Sequence, residues 1–256
     1  MLSTFYSLNP WLVAVGLNTV LLAIAFILPK KLLTPAGYLH AWFLGVIVWG
    51  TLGFSGYLVV MFYFLVGSGV TRIGMAQKEA EGIAEKRSGM RGPENVWGSA
   101  LAGTICAIAT IFVTSPYREL LVLGYVASFS TKLSDTTASE VGKAYGKRTF
   151  LITTLQPVAR GTEGAVSLEG TLAGIVASFA IAFLAWGLGL IDLVGVGLCA
   201  IAAFIATNLE SVIGATVQSK FTWLTNEVVN ILNTLIGAIA AILLALALHH
   251  FIPVPL

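Results

Sequence analysis

Long apolar runs, separated by polar stretches whose basic residues recur at every second gap, constrain this chain more than any motif does. A helix crossing the hydrocarbon core of a bilayer needs about 17–25 apolar residues. The sequence offers runs near residues 11–28, 38–54, 56–70, 96–114, 117–131, 168–190, 193–217 and 227–251. The second and third are one run, broken by the turn signal Gly53-Phe54-Ser55-Gly56. The fifth is short for a full crossing and is also open to a re-entrant reading. Composition agrees: 57% of residues are hydrophobic and 10% charged, against about 25% charged in a soluble domain.

The placement of charge sets the orientation. Lys30 and Lys31 follow the first run. Arg72, Lys78, Lys86, Arg87 and Arg91 separate the third from the fourth. Lys132, Lys143, Lys147, Arg148 and Arg160 separate the fifth from the sixth, and Lys220 the seventh from the eighth. With eight spans all of these fall on one side, the cytoplasm, and only Arg118 lies opposite. The expectation is an all-α polytopic integral membrane protein, one domain over residues 1–256, with both termini outside and cytoplasmic loops near 71–95, 132–166 and 218–226. Cys106 and Cys199 lie inside apolar runs, so neither a disulfide nor a cysteine metal cluster is expected. The start, Met1 to Tyr6, lacks the basic residues of a signal peptide. The bilayer is the expected partner and nucleic acid is not; the oligomeric state stays open.

The densest chemistry lies between Ser130 and Gly174. On a helix Lys132, Asp135, Ser139, Gly142 and Gly146 are spaced 3, 4, 3 and 4 apart and share one face. That face offers an amine, a carboxylate, a hydroxyl and two glycines that admit close approach to the backbone. In the run Arg160 to Thr171, Glu163, Ser167 and Gly170, followed by Gly174, again match one helical face. Carboxylates for a divalent metal, with cations and glycines for phosphates, are what a nucleotide-phosphate site needs. A polar loop between two membrane helices would look much the same.

The first basic loop is expected to be helical from Ala76 to Lys86 and turn-rich from Ser88 to Pro93. Its cations serve topology, yet Arg91, flanked by Met90 and Gly92 with Asn95 beyond, is a plausible anion grip. Asn208 and Ser211 share a face with Ala215 and Gln218, while Glu210 points elsewhere. Asn226, Asn230 and Asn233 share a face of the last run, with Glu227 beside them. Acids and amides inside membrane helices are costly and usually face a site or a partner helix.

The pattern Asp135-Thr-Thr-Ala-Ser-x-x-Gly-x-x-x-Gly-Lys147, followed by Gly161-Thr-x-Gly-Ala-Val-Ser-x-x-Gly-Thr171, resembles a membrane family that includes transmembrane protein 19. Within it, Gly82 to Trp97, Asn208 to Gln218 and Leu224 to Asn230 look like the phytyl-phosphate kinases of plastids and cyanobacteria. The resemblance covers nearly all the chain after about residue 35, with a fainter echo of CTP-dependent polyprenol kinases. It implies phosphorylation of phytyl phosphate, or a similar isoprenyl phosphate, to the diphosphate. The donor would be a nucleoside triphosphate, CTP first, with Mg²⁺ as cofactor, feeding tocopherol and phylloquinone synthesis. It also implies a cyanobacterial inner or thylakoid membrane. The chain departs from the wider family in span seven, where Asn208 and then Glu210-Ser211 stand in place of Asp-Ser.

Residue chemistry and resemblance together select Asp135, Lys132 and Glu163 as catalytic groups, and Asp135, Glu163 and Glu210 as metal ligands. Lys86, Arg87, Arg91, Asn95, Ser139 and Gly142 are expected to bind nucleotide or phosphate, as are Gly146, Lys147, Arg160, Gly161, Thr162 and Ser167. Asn208, Ser211, Asn226, Glu227 and Asn230 are expected on the lipid-phosphate side. The acceptor is a phosphate monoester, mostly ionised near neutrality, so no general base is required and the absence of a cytoplasmic histidine is no objection. A lipid nucleotidyltransferase would use the same groups but release diphosphate. A secondary transporter would share the broken, glycine-rich helices and intramembrane acids, but no internal repeat is evident.

Overall fold

The apolar runs fold as helices whose starts are written in the sequence. The computed structural model describes residues 9–29 and 31–251; Lys30, counted above among the orienting cations, lies outside them, as do both chain ends. Helix α1 (Pro10–Ile27) starts with proline at its first turn, and Asn9 accepts from Trp11 N at 2.9 Å. Helix α2 (Pro35–Thr71) repeats the device with Thr34. Then follow α3 (Met75–Ala80), α4 (Pro93–Ala109), α5 (Tyr117–Tyr145), α6 (Leu168–Gly187), α7 (Leu193–Thr216) and α8 (Asn226–Phe251). Such caps satisfy backbone N–H groups that the helix itself leaves unpaired.

Helix α2 is two antiparallel limbs. Gly53 breaks it at φ 63°, ψ −155°, a conformation only glycine adopts cheaply. Asn18 touches both Gly45 and Tyr57, accepting from the tyrosine hydroxyl at 2.9 Å, and Arg91 touches both Gly37 and Gly67. Two pairs centred within two residues of Gly53 can share a neighbour only if the chain reverses there. A straight helix of 37 residues would be about 55 Å long, well beyond a bilayer core of about 30 Å; each limb matches it.

Helices α1, α2, α6, α7 and α8 are long and apolar enough to cross a membrane. With the two limbs of α2, and with α4 and α5, the long rods alternate in direction. The start of α2, the end of its second limb, the starts of α4, α6 and α8, and the ends of α5 and α7 gather at one end. At the other, the start of α5 meets the α6–α7 turn and the end of α8.

Helix α5 is the pivot. Tyr125, Val126, Ala127, Phe129 and Leu133 are fully buried, among α2, α4, α6, α7 and α8. It does not stop near residue 131: the helix runs through Lys132 and Asp135 to Tyr145 with no re-entrant break. The first part of the loop expected over 132–166, up to Tyr145, is therefore helix. Along this continuation α6 comes very close to α5. A methyl on Gly174 would lie 2.9 Å from the Ser134 carbonyl, so only a bare backbone fits.

Two further expectations need correction. The helix foreseen over Ala76 to Lys86 is only Met75–Ala80, because Gly82 takes φ 71° and Arg87 and Ser88 also adopt left-handed backbone. After α5 comes a short antiparallel hairpin, β1 (Thr149–Leu151) on β2 (Ala165–Ser167), pairing Thr149 with Ser167. Glu163 sits in the turn before β2 and not on α6, so its expected helical face with Ser167 and Gly174 does not form.

Candidate functional site

The polar face of α5 faces a cavity of about 420 Å³ at the end of the bundle where the loops gather. Lys132, Asp135, Ser139 and Gly142 all line it, as their spacing requires. Lys132 Nζ donates to Asp135 Oδ2 at 2.6 Å and to Asn230 Oδ1 of α8 at 2.6 Å. Both charged residues are only 6% exposed. A buried charge persists only when paired and hydrogen-bonded, and here each compensates the other while Asn230 accepts a second hydrogen bond from the lysine.

Next to Ser139, on the adjoining face of α5, Glu140 forms a second buried network. It pairs with Lys78 of α3, which also donates to the Thr71 carbonyl at 2.8 Å. Lys143 lies 3.3 Å from Glu140 and 3.4 Å from Glu85. Near the polar end of α5, the carboxylates of Glu140 and Glu85 compensate the charge of Lys143. Sequence reasoning missed Lys78 and Glu140 as a pair. The spacing of Glu140 and Lys143 was visible; a partner 62 residues away was not.

The first basic loop closes one side. Arg91 is fixed through its backbone, N–H to the Leu32 carbonyl and C=O from the Thr34 N–H, each at 3.0 Å. Its guanidinium donates to the Tyr63 hydroxyl at 2.5 Å and stacks 4.9 Å above that ring. Arg87 is held by Glu94 and by Asn95 Oδ1 at 2.8 Å. Of the cations lining the cavity, Lys132, Lys143 and Arg87 each have a carboxylate; among the described residues Lys86 and Arg91 have none within ion-pairing distance.

The opposite side comes from the hairpin and from α6 to α8. Gly161, Thr162 and Glu163 line the mouth. Ser167 spends its hydroxyl capping α6, accepting from Gly170 N at 3.1 Å. On α7, Asn208 Nδ2 donates to the Phe204 carbonyl at 2.7 Å and Ser211 to that of Thr207 at 3.1 Å. Glu210, expected to point away from them, lines the same cavity. Asn226, Glu227 and Asn230 complete the wall, with Asn226 bonded to Gln218.

Of the expected site residues, three fall outside the cavity lining. Gly146 closes the end of α5 with its N–H on the Gly142 carbonyl. Lys147 is exposed to solvent, and Arg160 is bound to Glu81 at 2.7 Å. The carboxylates expected to take a metal, Asp135, Glu163 and Glu210, all line the cavity. They are not a ready-made cluster: among the described residues no three His, Cys, Asp or Glu side chains are grouped to hold an ion unaided. Asp135 is engaged by Lys132, and Glu163 is exposed in its turn. The donor set is all carboxylate oxygen, which suits a hard cation that keeps water or phosphate oxygens in its shell. On that ground the residues fit Mg²⁺.

A family model described as integral membrane protein DUF92 matches residues 18–238. The chain is 70% identical over 233 residues to an uncharacterized membrane protein of Synechocystis, covering 91% of this chain and 90% of the relative. It is 46% identical over 238 residues to Protein VTE6, chloroplastic, of Arabidopsis thaliana, covering 91% of this chain and 72% of that protein. An uncharacterized membrane protein of Methanocaldococcus jannaschii is 31% identical over 227 residues, covering 88% and 91%. No solved structure matches the chain.

Proposed function

This chain belongs to the DUF92 family of integral membrane proteins, and from that premise we propose that it is a membrane kinase converting phytyl phosphate, or a similar isoprenyl phosphate, to the diphosphate. The observation that carries the reading is the pairing pattern of the cavity. Among the described residues, the lining acids Glu163, Glu210 and Glu227 have no cation within ion-pairing distance; Lys132, Lys143 and Arg87 each have a carboxylate, while Lys86 and Arg91 have none. Such cations are receptors for phosphate oxygens. The resemblance to phytyl-phosphate kinases of plastids and cyanobacteria, and close relatives in a chloroplast and a cyanobacterium, support the same choice of acceptor.

The reaction asks little covalent help from the protein. An oxygen of the acceptor phosphate attacks the γ-phosphorus of the triphosphate. The bond from that phosphorus to the β,γ-bridging oxygen breaks, and the nucleoside diphosphate leaves. The work is charge neutralisation and alignment. Arg91, made rigid by Tyr63 and its backbone bonds, can donate to phosphate oxygens in fixed geometry. Lys86 adds a more adaptable charge at the mouth. Lys132, locked between Asp135 and Asn230, presents a fixed positive charge on the cavity floor. Asp135, Glu163 and Glu210 would hold Mg²⁺, which neutralises charge on the phosphates when bound. In this reading all eight long rods cross the membrane, the cavity opens to the cytoplasm, and CTP is the first donor to test.

Purified protein incubated with phytyl phosphate, Mg²⁺ and each labelled triphosphate in turn tests the proposal. Phytyl diphosphate with nucleoside diphosphate release is expected. Inorganic diphosphate release would make the protein a nucleotidyltransferase, and no product from any donor would overturn the enzyme reading in favour of transport.

A further inference from the structure

The cavity is polar at its mouth and floor, yet two large apolar side chains line it at helix depth: Ile175 of α6 and Phe204 of α7. On α7, Phe204, Thr207, Asn208 and Ser211 line the cavity, while Ile201, Ile205 and Leu209 are exposed on the outer face. Helical spacing places Phe204 and Asn208 at the seam between those faces. Phe204 is 47% exposed although it lines the cavity. On α6, Thr171 and Ile175 line the cavity, while Leu172, Val176 and Phe179 are exposed outside. Ile175 occupies the matching seam. The cavity therefore meets the lipid-facing surface between α6 and α7.

At the same depth the wall built by α2, α4 and α5 is closed. Tyr63, Ser99, Lys132 and Asp135 are 3%, 5%, 6% and 6% exposed. The fissure is also shut at the polar end. Gly164 of the hairpin, at φ 75°, packs onto α7 so closely that a methyl there would lie 2.6 Å from the Ser211 carbonyl oxygen. An apolar chain leaving the cavity between these helices has one direction open, into the bilayer.

We propose that the fissure between α6 and α7, flanked by Ile175 and Phe204, is the path by which the isoprenyl chain of the substrate reaches the site sideways from the membrane. The proposal rests on the isoprenyl-phosphate reading above. The phosphate lies beside Lys132 and Asn208, and the chain passes between Ile175 and Phe204 without leaving an apolar surrounding. A chain drawn wholly into the polar cavity would displace water from charged groups and gain no apolar contacts. Ile175 and Phe204 thus determine preference for long isoprenyl chains over short ones.

Two measurements test this. A twenty-carbon isoprenyl phosphate with a diazirine at its far end is photolysed on wild-type protein in lipid nanodiscs and the adducts are mapped by mass spectrometry. Adducts concentrated on the outer faces of α6 and α7 near residues 172–179 and 201–205 are expected; adducts on α2, α4 or α8 instead would overturn the proposal. In parallel, Ile175→Trp should lower kcat/KM for phytyl phosphate roughly tenfold more than for dimethylallyl phosphate, and an unchanged ratio would overturn it too. If wild-type protein phosphorylates no isoprenyl phosphate but the adducts map to α6 and α7, the lipid path stands and the kinase reading falls. If turnover is found and adducts map elsewhere, the kinase stands and the path falls.

Discussion

Lys132 and Asp135, one turn apart on α5 and 2.6 Å between charged atoms, are both buried, so neither can be altered alone without stranding the other. Asp135→Asn leaves the lysine ammonium buried without a counter-charge. Breaking a buried pair costs about 3–5 kcal/mol. The single variant should melt earlier in detergent and turn over orders of magnitude more slowly. Lys132→Met combined with Asp135→Asn should recover most of the stability and none of the activity. If the double variant regained turnover along with stability, the pair would be scaffolding alone.

Arg91 is held by an aromatic ring and a hydroxyl, leaving its charge for a ligand. Arg91→Ala should raise KM for the triphosphate or for phytyl phosphate, with a loss of about 1.5–3 kcal/mol for a charge-assisted contact. Arg91→Lys should rescue it poorly, because an ammonium can neither stack on Tyr63 nor present a planar fork. Equal KM values in wild type and Arg91→Ala would return the loop to a role in topology alone.

Much of this was readable from the chain. Helix positions follow from apolar run length, and the break in α2 from Gly53. The α5 face followed from 3- and 4-residue spacing, and four of its five members line the cavity. What escaped depended on distance in space. The close approach of α6 to α5 at Gly174 is a tertiary contact that no local pattern records. Arg160 resembles a phosphate ligand in sequence, yet Glu81 neutralises it across a gap of 79 residues. Lys78 resembles a topology signal and is instead fully buried on Glu140.

That Lys78–Glu140 pair fastens α3 to α5 beneath the cavity. Lys78→Met should destabilise the protein by about 3–5 kcal/mol, the usual cost of leaving one buried charge alone, reduced by whatever Lys143 compensates from 3.3 Å. Lys78→Met with Glu140→Leu should recover stability in a double-mutant cycle. Additive losses from the two substitutions would show that the pair is not coupled.

Orientation can be checked without assaying activity. In a background lacking Cys106 and Cys199, single cysteines at Lys86, Lys147 and Lys220 should react with an impermeant maleimide only from the cytoplasmic side. All three belong to the end of the bundle where the rods converge on the cavity or to the loops beside it. Reaction of any one from outside intact cells would break the eight-crossing arrangement.

The metal reading separates Glu210 from Glu163. Glu210 rises from a continuous helix facing the cavity, whereas Glu163 is exposed in a turn between Gly161 and Gly164, both at positive φ. A ligand on a helix is already positioned; one in such a turn must be ordered when the ion arrives, so it contributes less to affinity. Glu210→Gln should therefore shift the Mg²⁺ concentration for half-maximal rate upward by more than Glu163→Gln does, and chelation with EDTA should abolish turnover in all variants. Both amides keep side-chain shape, so melting temperatures in detergent should stay close to wild type. Identical Mg²⁺ dependence in wild type and Glu210→Gln would remove Glu210 from the ligand set and leave Asp135 and Glu163 to hold the ion with the phosphates.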